Sequence, residues 1–226
     1  MIEVKNLHKT FMNGQVETSV LKGLDFKIEK GEFIAIMGRS GAGKSTFMYQ
    51  ISLLDEPTRG EIIIDGINTH TMTTEQKTTF RLTRLGYVFQ DYALIPELTA
   101  VENVALPLLM QGMPTKKAMT TAQNALKTVG LATHGNQLPS QLSGGEQQRV
   151  SISRAISHNP DILFADEPTA NLDNESSLTI MDIFKQLHKQ GQTIIMVTHE
   201  EEYGKMAEKT VTLNDGRIVQ VKKNTN

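Results

Sequence analysis

Three short stretches carry residues whose types and spacing could do chemistry. In Gly38-Arg39-Ser40-Gly41-Ala42-Gly43-Lys44-Ser45 the spacing G-x-x-x-x-G-K-S follows the apolar run Phe33-Ile34-Ala35-Ile36-Met37 and precedes Thr46-Phe47-Met48. A buried strand that turns through glycines into a helix start can bring successive backbone N–H groups onto phosphate oxygens, with the positive end of the helix behind them. In such a cradle Lys44 reaches the β- and γ-phosphates and Ser45 holds a magnesium ion. An ordinary Gly-rich turn between strand and helix is the plain alternative. In the second stretch Asp166 and Glu167 close an apolar strand over residues 162–165, and ligands of open α/β sheets bind beyond the carboxyl ends of strands. Asp166 suits a magnesium shell and Glu167 is placed to polarise an attacking water. A solvated strand end before Pro168 is the other reading. The third stretch, Leu142-Ser143-Gly144-Gly145-Glu146-Gln147-Gln148-Arg149, sets Ser143 three residues ahead of Glu146, a capping box that predicts a helix continuing to Asn159-Pro160. Gly144 and Gly145 in its first turn each cost that helix up to ~1 kcal/mol relative to alanine. Either a ligand's phosphate approaches bare N–H groups there, or the glycines admit a neighbouring backbone. On the first reading Gly145→Ala leaves the fold unharmed and removes activity.

These residues need rigid elements behind them. Residues 2–7, 24–28 and 33–37 read as strands, with Asn13-Gly14 and Lys30-Gly31 as turns. Phe11 sits just before the first turn, where an aromatic either stacks on a flat base or packs in the sheet. Another strand and turn follow at 61–66, after Pro57-Thr58-Arg59-Gly60. From about 71 to 138 the character changes. Residues 74–84 are polar and helix-compatible, and Ala118, Met119, Ala122, Ala125, Leu126 and Val129 recur at the spacing of one helix face between Pro114 and Gly130. This region reads as a helical lobe inserted into an α/β core. Strand and helix then alternate again through 161–165, the face of Ile180, Ile183, Phe184 and Leu187, and 193–198. A terminal pair, 209–213 and 217–221, is joined by Asn214-Asp215-Gly216 as a hairpin.

Composition excludes more than it assigns. A chain of 226 residues can bury a large α/β interior without staples, and with no cysteine it has neither a disulfide framework nor a thiol nucleophile. A net charge of -2, from 23 Lys and Arg against 25 Asp and Glu, gives no electrostatic case for nucleic acid. The N-terminal alternation Met1-Ile2-Glu3-Val4-Lys5 lacks the layout of a secretion signal, and no apolar stretch approaches the ~20 residues of a membrane span. The expected place is therefore the cytoplasm, with any membrane role carried by a partner.

From end to end the chain resembles the nucleotide-binding subunits of ATP-binding cassette (ABC) transporters. The family's motifs stand in its order: Phe11, the cradle from Gly38 to Thr46, Gln90 after Tyr87-Val88-Phe89, the signature Leu142 to Glu146, Asp166-Glu167, Asn171-Leu172-Asp173, and His199 after Val197-Thr198. Finer similarity, through Phe89-Gln90-Asp91-Tyr92-Ala93-Leu94-Ile95-Pro96-Glu97-Leu98-Thr99-Ala100-Val101-Glu102-Asn103-Val104 and Ala170-Asn171-Leu172-Asp173, is to the branch that energises lipoprotein release and macrolide export. Arg39 stands where that pattern often has proline, Phe11 where tyrosine is commoner, and Glu146 where glutamine is frequent.

The resemblance implies an α/β fold with a P-loop NTPase (RecA-like) core, an N-terminal antiparallel β subdomain and an inserted α-helical subdomain. It implies one ABC ATPase domain over 1–226, with 1–70 and 160–226 as core and β subdomain and about 71–159 as the helical subdomain. It implies ATP and Mg2+ as cofactors, Phe11 as adenine platform, Gln90 near magnesium and the attacking water, His199 on the γ-phosphate, and Asp173 beside the nucleotide. Two copies meet head to tail, each ATP lying between one cradle and the other copy's Ser143, Gly144 and Gly145. A transmembrane permease is the implied partner, placing the chain on the inner face of the cell membrane. Tyr92, Leu94, Ile95, Leu98 and Val101 are expected either to form part of the permease groove or to pack within the helical lobe. A regulatory ATPase that signals without moving cargo is the implied alternative; a cassette of DNA repair or translation is disfavoured by the lack of basic excess and of a long coiled-coil insertion.

Overall fold

Strands form here where β-branched and aromatic residues alternate or run together, and helices where small and aliphatic residues recur three and four apart. The computed structural model describes residues 1–14 and 16–224. In chain order the elements are β1 (Ile2–Asn13), β2 (Val16–Ile28), β3 (Phe33–Met37), α1 (Lys44–Ile51), β4 (Arg59–Ile64), β5 (Ile67–Asn68), α2 (Thr74–Arg84), β6 (Leu85–Val88), α3 (Ala100–Met110), α4 (Thr115–Thr128), α5 (Gly144–Ile156), β7 (Ile162–Asp166), α6 (Asn174–Lys189), β8 (Thr193–Val197), α7 (Glu201–Gly204), β9 (Lys209–Asn214) and β10 (Arg217–Lys223). They fall into two compact units, Met1–Thr79 with Gln190–Asn226, and Phe80–Lys189.

In the first unit β1 pairs antiparallel with β2 and with β4, and β4 with β5, in the order β2-β1-β4-β5. Ile2, Val4, Leu7, Leu24, Ile28, Ile62 and Ile64 are buried, which is the alternation the sequence shows. Both long strands extend beyond the expected 2–7 and 24–28, because the polar halves of β1 and β2 pair with each other up to Asn13 and Val16. Ladder hydrogen bonds, not apolar alternation, hold that extension. In the same unit β3 lies between β8 and β9, parallel to both, and β10 returns antiparallel to β9. All of β8 and all of β3 but Met37 are buried, as strands covered on both faces must be. The β9–β10 turn holds Asp215 and Gly216 at φ 44 and 71, the conformation a two-residue hairpin selects.

In the second unit β6 and β7 are parallel, Leu85 opposite Ile162 through Val88 opposite Ala165. Helix α4 buries Ala118, Ala122, Ala125 and Leu126, with Pro114 at its N-cap and Gly130 just beyond its end. Helix α6 buries Ile180, Ile183, Phe184 and Leu187. Helix α5 stops at Ile156, short of the expected Asn159, because Asn159 takes a left-handed φ of 52 and its N–H closes the turn on the Ile156 carbonyl at 3.0 Å. Helix α3 starts from a second capping box, Thr99 with Glu102. Among the described residues no helix is long and apolar enough to cross a membrane.

Candidate active site

The cradle belongs to the first unit, and the packing around it explains its glycines. A Cβ on Gly38 would lie 2.3 Å from the Leu213 carbonyl oxygen, because β9 runs alongside β3 and brings that backbone against the loop. Gly43 is the N-cap of α1 at φ 97, and no side chain caps the helix. The first turn of α1 also contains no acidic residue. Neither a capping side chain nor a first-turn carboxylate offsets the positive end of α1, an arrangement that suits an anion. Lys44 is only 7% exposed, and its Nζ donates to the Arg39 carbonyl at 3.3 Å, folding the ammonium back across the loop it serves. The terminal hairpin steadies the loop from outside: the Gly216 N–H donates to the Ala42 carbonyl at 3.1 Å, and the Lys22 N–H to the Gly216 carbonyl at 2.9 Å. Ser40 and Gly41 are exposed and Ser45 and Thr46 half-buried.

Parallel pairing of β3 with β8 sets Ile36 opposite Val197, so the cradle and His199 leave the sheet at the same end. Exposed His199 lines a cavity of about 760 Å³ with Gly38, Arg39, Glu201, Lys205 and Lys222. On β1, Phe11 is 44% exposed, with the Lys9 ammonium 4.9 Å from its ring centroid. Of the two readings of Phe11, its exposure disfavours packing in the sheet, because the hairpin extension on which it stands has an exposed face.

The carboxylates belong to the second unit. Every residue of β7 is buried, and Asp166 at its end is 6% exposed. Glu167 follows in the left-handed region, φ 44, a conformation that costs a residue with a Cβ roughly 1–2 kcal/mol. Two bonds keep it there. The Ala170 N–H closes a turn onto the Glu167 carbonyl at 3.1 Å, and the wholly buried Gln148 donates from Nε2 to the Pro168 carbonyl at 2.8 Å. Gln90, exposed just after β6, has its carbonyl bonded by the Asn171 amide at 3.3 Å.

In the same unit the start of α5 meets the start of α6. The Ser143 hydroxyl and N–H both donate to Glu146 Oε2 at 2.8 Å, and these bonds, with His134 nearby, hold the Glu146 carboxyl below the usual carboxylate range. Asp173 accepts the Ser176 N–H at 2.9 Å and its hydroxyl at 2.8 Å, which lowers the Asp173 pKa in the same way. Ser143, Gly145, Arg149, Asp173 and Ser176 line one polar pocket of about 420 Å³. Gly144 and Gly145 are packed against side chains. A Cβ on Gly144 would lie 2.9 Å from the Tyr92 hydroxyl, and one on Gly145 2.7 Å from Ser176 Oγ. Whether Gly145→Ala leaves the fold unharmed therefore turns on how far the Ser176 side chain can give way. Of the segment expected either in a groove or in the lobe, Val101 is buried at 7% and Ile95 exposed at 41%, with Tyr92, Leu94 and Leu98 between. Val101 therefore packs within the unit.

Residues 21–170 match the sequence profile of the family described as ABC transporter. The chain belongs to the ABC transporter family. An uncharacterised ABC transporter ATP-binding protein of Methanocaldococcus jannaschii is 47% identical over 221 residues, 98% of this chain and 99% of that one. The lipoprotein-releasing system ATP-binding protein LolD of Syntrophus aciditrophicus is 44% identical over 97% of this chain and 99% of its own. The macrolide export ATP-binding/permease protein MacB of Aggregatibacter actinomycetemcomitans is also 44% identical, but the match spans 34% of its length. A dimeric ATP-binding cassette solved in a post-hydrolysis state with ADP and Pi superposes with a TM-score of 0.93 at 40% identity, over the whole of both chains.

This ABC ATPase binds and hydrolyses ATP, and the uncapped start of α1 with buried Lys44 is a site that fits the phosphates of ATP. Four residues of the cassette escaped the sequence reading: Gln148, Arg154, Asn171 as a tie to Gln90, and Ser176. Gln148 had a signal, since it lies four residues before Ile152 on the buried face of α5, and a buried amide must find partners. For Ser176 no local pattern existed.

Proposed function

We propose that this chain is the ATP-hydrolysing subunit of a transporter of the lipoprotein-release or macrolide-export type, acting on the inner face of the membrane through a permease. The names of the relatives LolD and MacB support the branch. The observation that carries the chemistry is the bare N-terminus of α1, glycine-capped and backed by Lys44. As a domain the chain is one cassette, with core and β subdomain over 1–70 and 160–226 and a helical subdomain over about 71–159.

Gly38 to Thr46 hold the triphosphate through backbone N–H groups, Lys44 neutralises its outer phosphates, and Phe11 stacks on the adenine. Ser45, Gln90 and Asp166 supply hydroxyl, amide and carboxylate oxygens, the hard donors that suit Mg2+. When bound, that ion neutralises charge on the phosphates and orients them. Glu167 accepts the proton of the attacking water, and His199 donates to the γ-phosphate. Ser143, Gly144 and Gly145 of one copy, with Asp173, complete the pocket of a second copy, as the dimeric form of the solved relative suggests. Hydrolysis removes that shared ligand and releases the pair, since only a ligand that favours one state can shift the balance.

Glu167→Gln tests this directly. The variant is expected to bind ATP as tightly as the wild type, to lose turnover by at least a hundredfold, and to run as a dimer in gel filtration with ATP and Mg2+. Normal turnover removes Glu167 from its role, and a variant that stays monomeric with ATP bound sinks the shared-nucleotide dimer.

A further inference from the structure

Two consecutive residues with side chains, Tyr92 at φ 59 and Ala93 at φ 50, stand in the left-handed region two residues after Gln90. Chirality disfavours one such residue, and two in a row persist only where the surroundings impose them. The local backbone closes a tight turn, the Ala93 N–H donating to the Asp91 carbonyl at 2.5 Å. What holds that turn comes from α5. Arg154, in the last turn of that helix, donates from Nη2 to the Tyr92 carbonyl at 2.9 Å and from Nη1 to the Ala93 carbonyl at 2.5 Å. Among the described residues Arg154 forms no ion pair, and burial pushes its pKa down. A half-buried cation whose hydrogen bonds among the described residues go to carbonyls trades charge pairing for geometry: the planar fork of a guanidinium can grip two adjacent carbonyls at once, which an ammonium cannot match. At the other end of α5 the Tyr92 hydroxyl lies over Gly144, and Asn171 holds the Gln90 carbonyl.

We propose that Arg154 is a positioning residue for ATP hydrolysis: by gripping the Tyr92 and Ala93 carbonyls it imposes the paired left-handed turn that fixes where Gln90 stands. The role of Gln90 rests on the function proposed above. Arg154 touches no reacting atom and acts only through the turn.

The test is Arg154→Lys, read by steady-state ATPase kinetics and by hydrogen exchange of the amides from Gln90 to Leu94. We expect kcat to fall at least tenfold with the KM for ATP unchanged, exchange in that segment to accelerate at least tenfold, and the added substitution Ala93→Gly to restore most of kcat, because glycine adopts φ 50 without help. Wild-type exchange and kcat in Arg154→Lys overturn the proposal, as does a loss of activity that Ala93→Gly does not relieve. If Arg154→Lys does not fold, the wild type decides: the Ala93 amide, though its residue is exposed, is expected to exchange at least tenfold more slowly than the exposed amide of Glu97, and equal rates overturn the clamp. Gln90→Ala separates the two layers, since normal turnover there refutes the role of Gln90 while faster exchange in Arg154→Lys still supports the clamp.

Discussion

Gly145 shows how one hydrogen in place of a methyl serves two demands. On the helix alone alanine would gain up to ~1 kcal/mol. Against it stands Ser176, whose Oγ would lie 2.7 Å and Cβ 3.0 Å from the new methyl while Asp173 holds that hydroxyl in place. Overpacking of this kind costs about 1–3 kcal/mol, so Gly145→Ala is expected to destabilise by a net ~0–2 kcal/mol and to break the Ser176–Asp173 bond. Denaturant melts of Gly145→Ala and of Gly145→Ala with Ser176→Ala check this: the double variant should recover part of the loss, and no recovery would show that Ser176 is not the obstacle. The glycine-rich helix start was legible from Ser143 and Glu146 alone, but the neighbour it accommodates was not. The sequence reading expected a backbone or a phosphate, and the structure supplies side chains, Tyr92 over Gly144 and Ser176 over Gly145.

At the scale of elements, α5 organises its unit. Its first turn is tied by the reciprocal bonds of Ser143 and Glu146, its buried face sends Gln148 to the loop after Glu167, and its last turn sends Arg154 to the loop after Gln90. An N-cap of this kind contributes about 1 kcal/mol. Because the Ser143 bonds lower the Glu146 pKa from 4.5, the part of the cap that comes from the Glu146 carboxylate is full above pH 4.5 and is lost as pH falls through the lowered value. Glu146→Gln keeps an acceptor but cannot titrate. The stability advantage of the wild type over Glu146→Gln is therefore expected at pH 7 and should shrink below pH 4.5; an advantage independent of pH would show that the carboxylate charge contributes nothing to the cap. The neighbouring α3 was missed as a separate helix although Thr99 and Glu102 carry the same spacing. Its wholly buried Asn103 accepts the Ile95 N–H and donates to the Ile95, Leu98 and Thr99 carbonyls, which is why a polar residue stands among apolar ones there.

For the whole molecule, the phosphate cradle and His199 belong to one compact unit and Gln90, Asp166, Glu167 and the signature to the other. A ligand that binds the folded chain and not the unfolded one stabilises it by mass action, about 2.7 kcal/mol at a hundred times its Kd. ATP with Mg2+ is accordingly expected to raise the Tm of Glu167→Gln, where the nucleotide is not consumed. Adding Lys44→Ala should abolish most of that rise. An undiminished rise would take Lys44 out of nucleotide binding.

By itself the sequence determined what depends on residues within a few positions of each other: the strand-to-helix turn of the cradle, the Ser143–Glu146 capping box, the Asp-Gly hairpin turns, and the run of motifs that marks the family. Such features arise from local backbone sterics and local hydrogen bonds, and neighbours in sequence suffice to write them. Tertiary structure alone decided which distant partners meet. Gln148 reaches Pro168 twenty residues away and Arg154 reaches Tyr92 sixty-two residues away. A buried amide or guanidinium announces that it needs acceptors, but the acceptors here are backbone carbonyls, which every residue possesses. Only packing chooses among them.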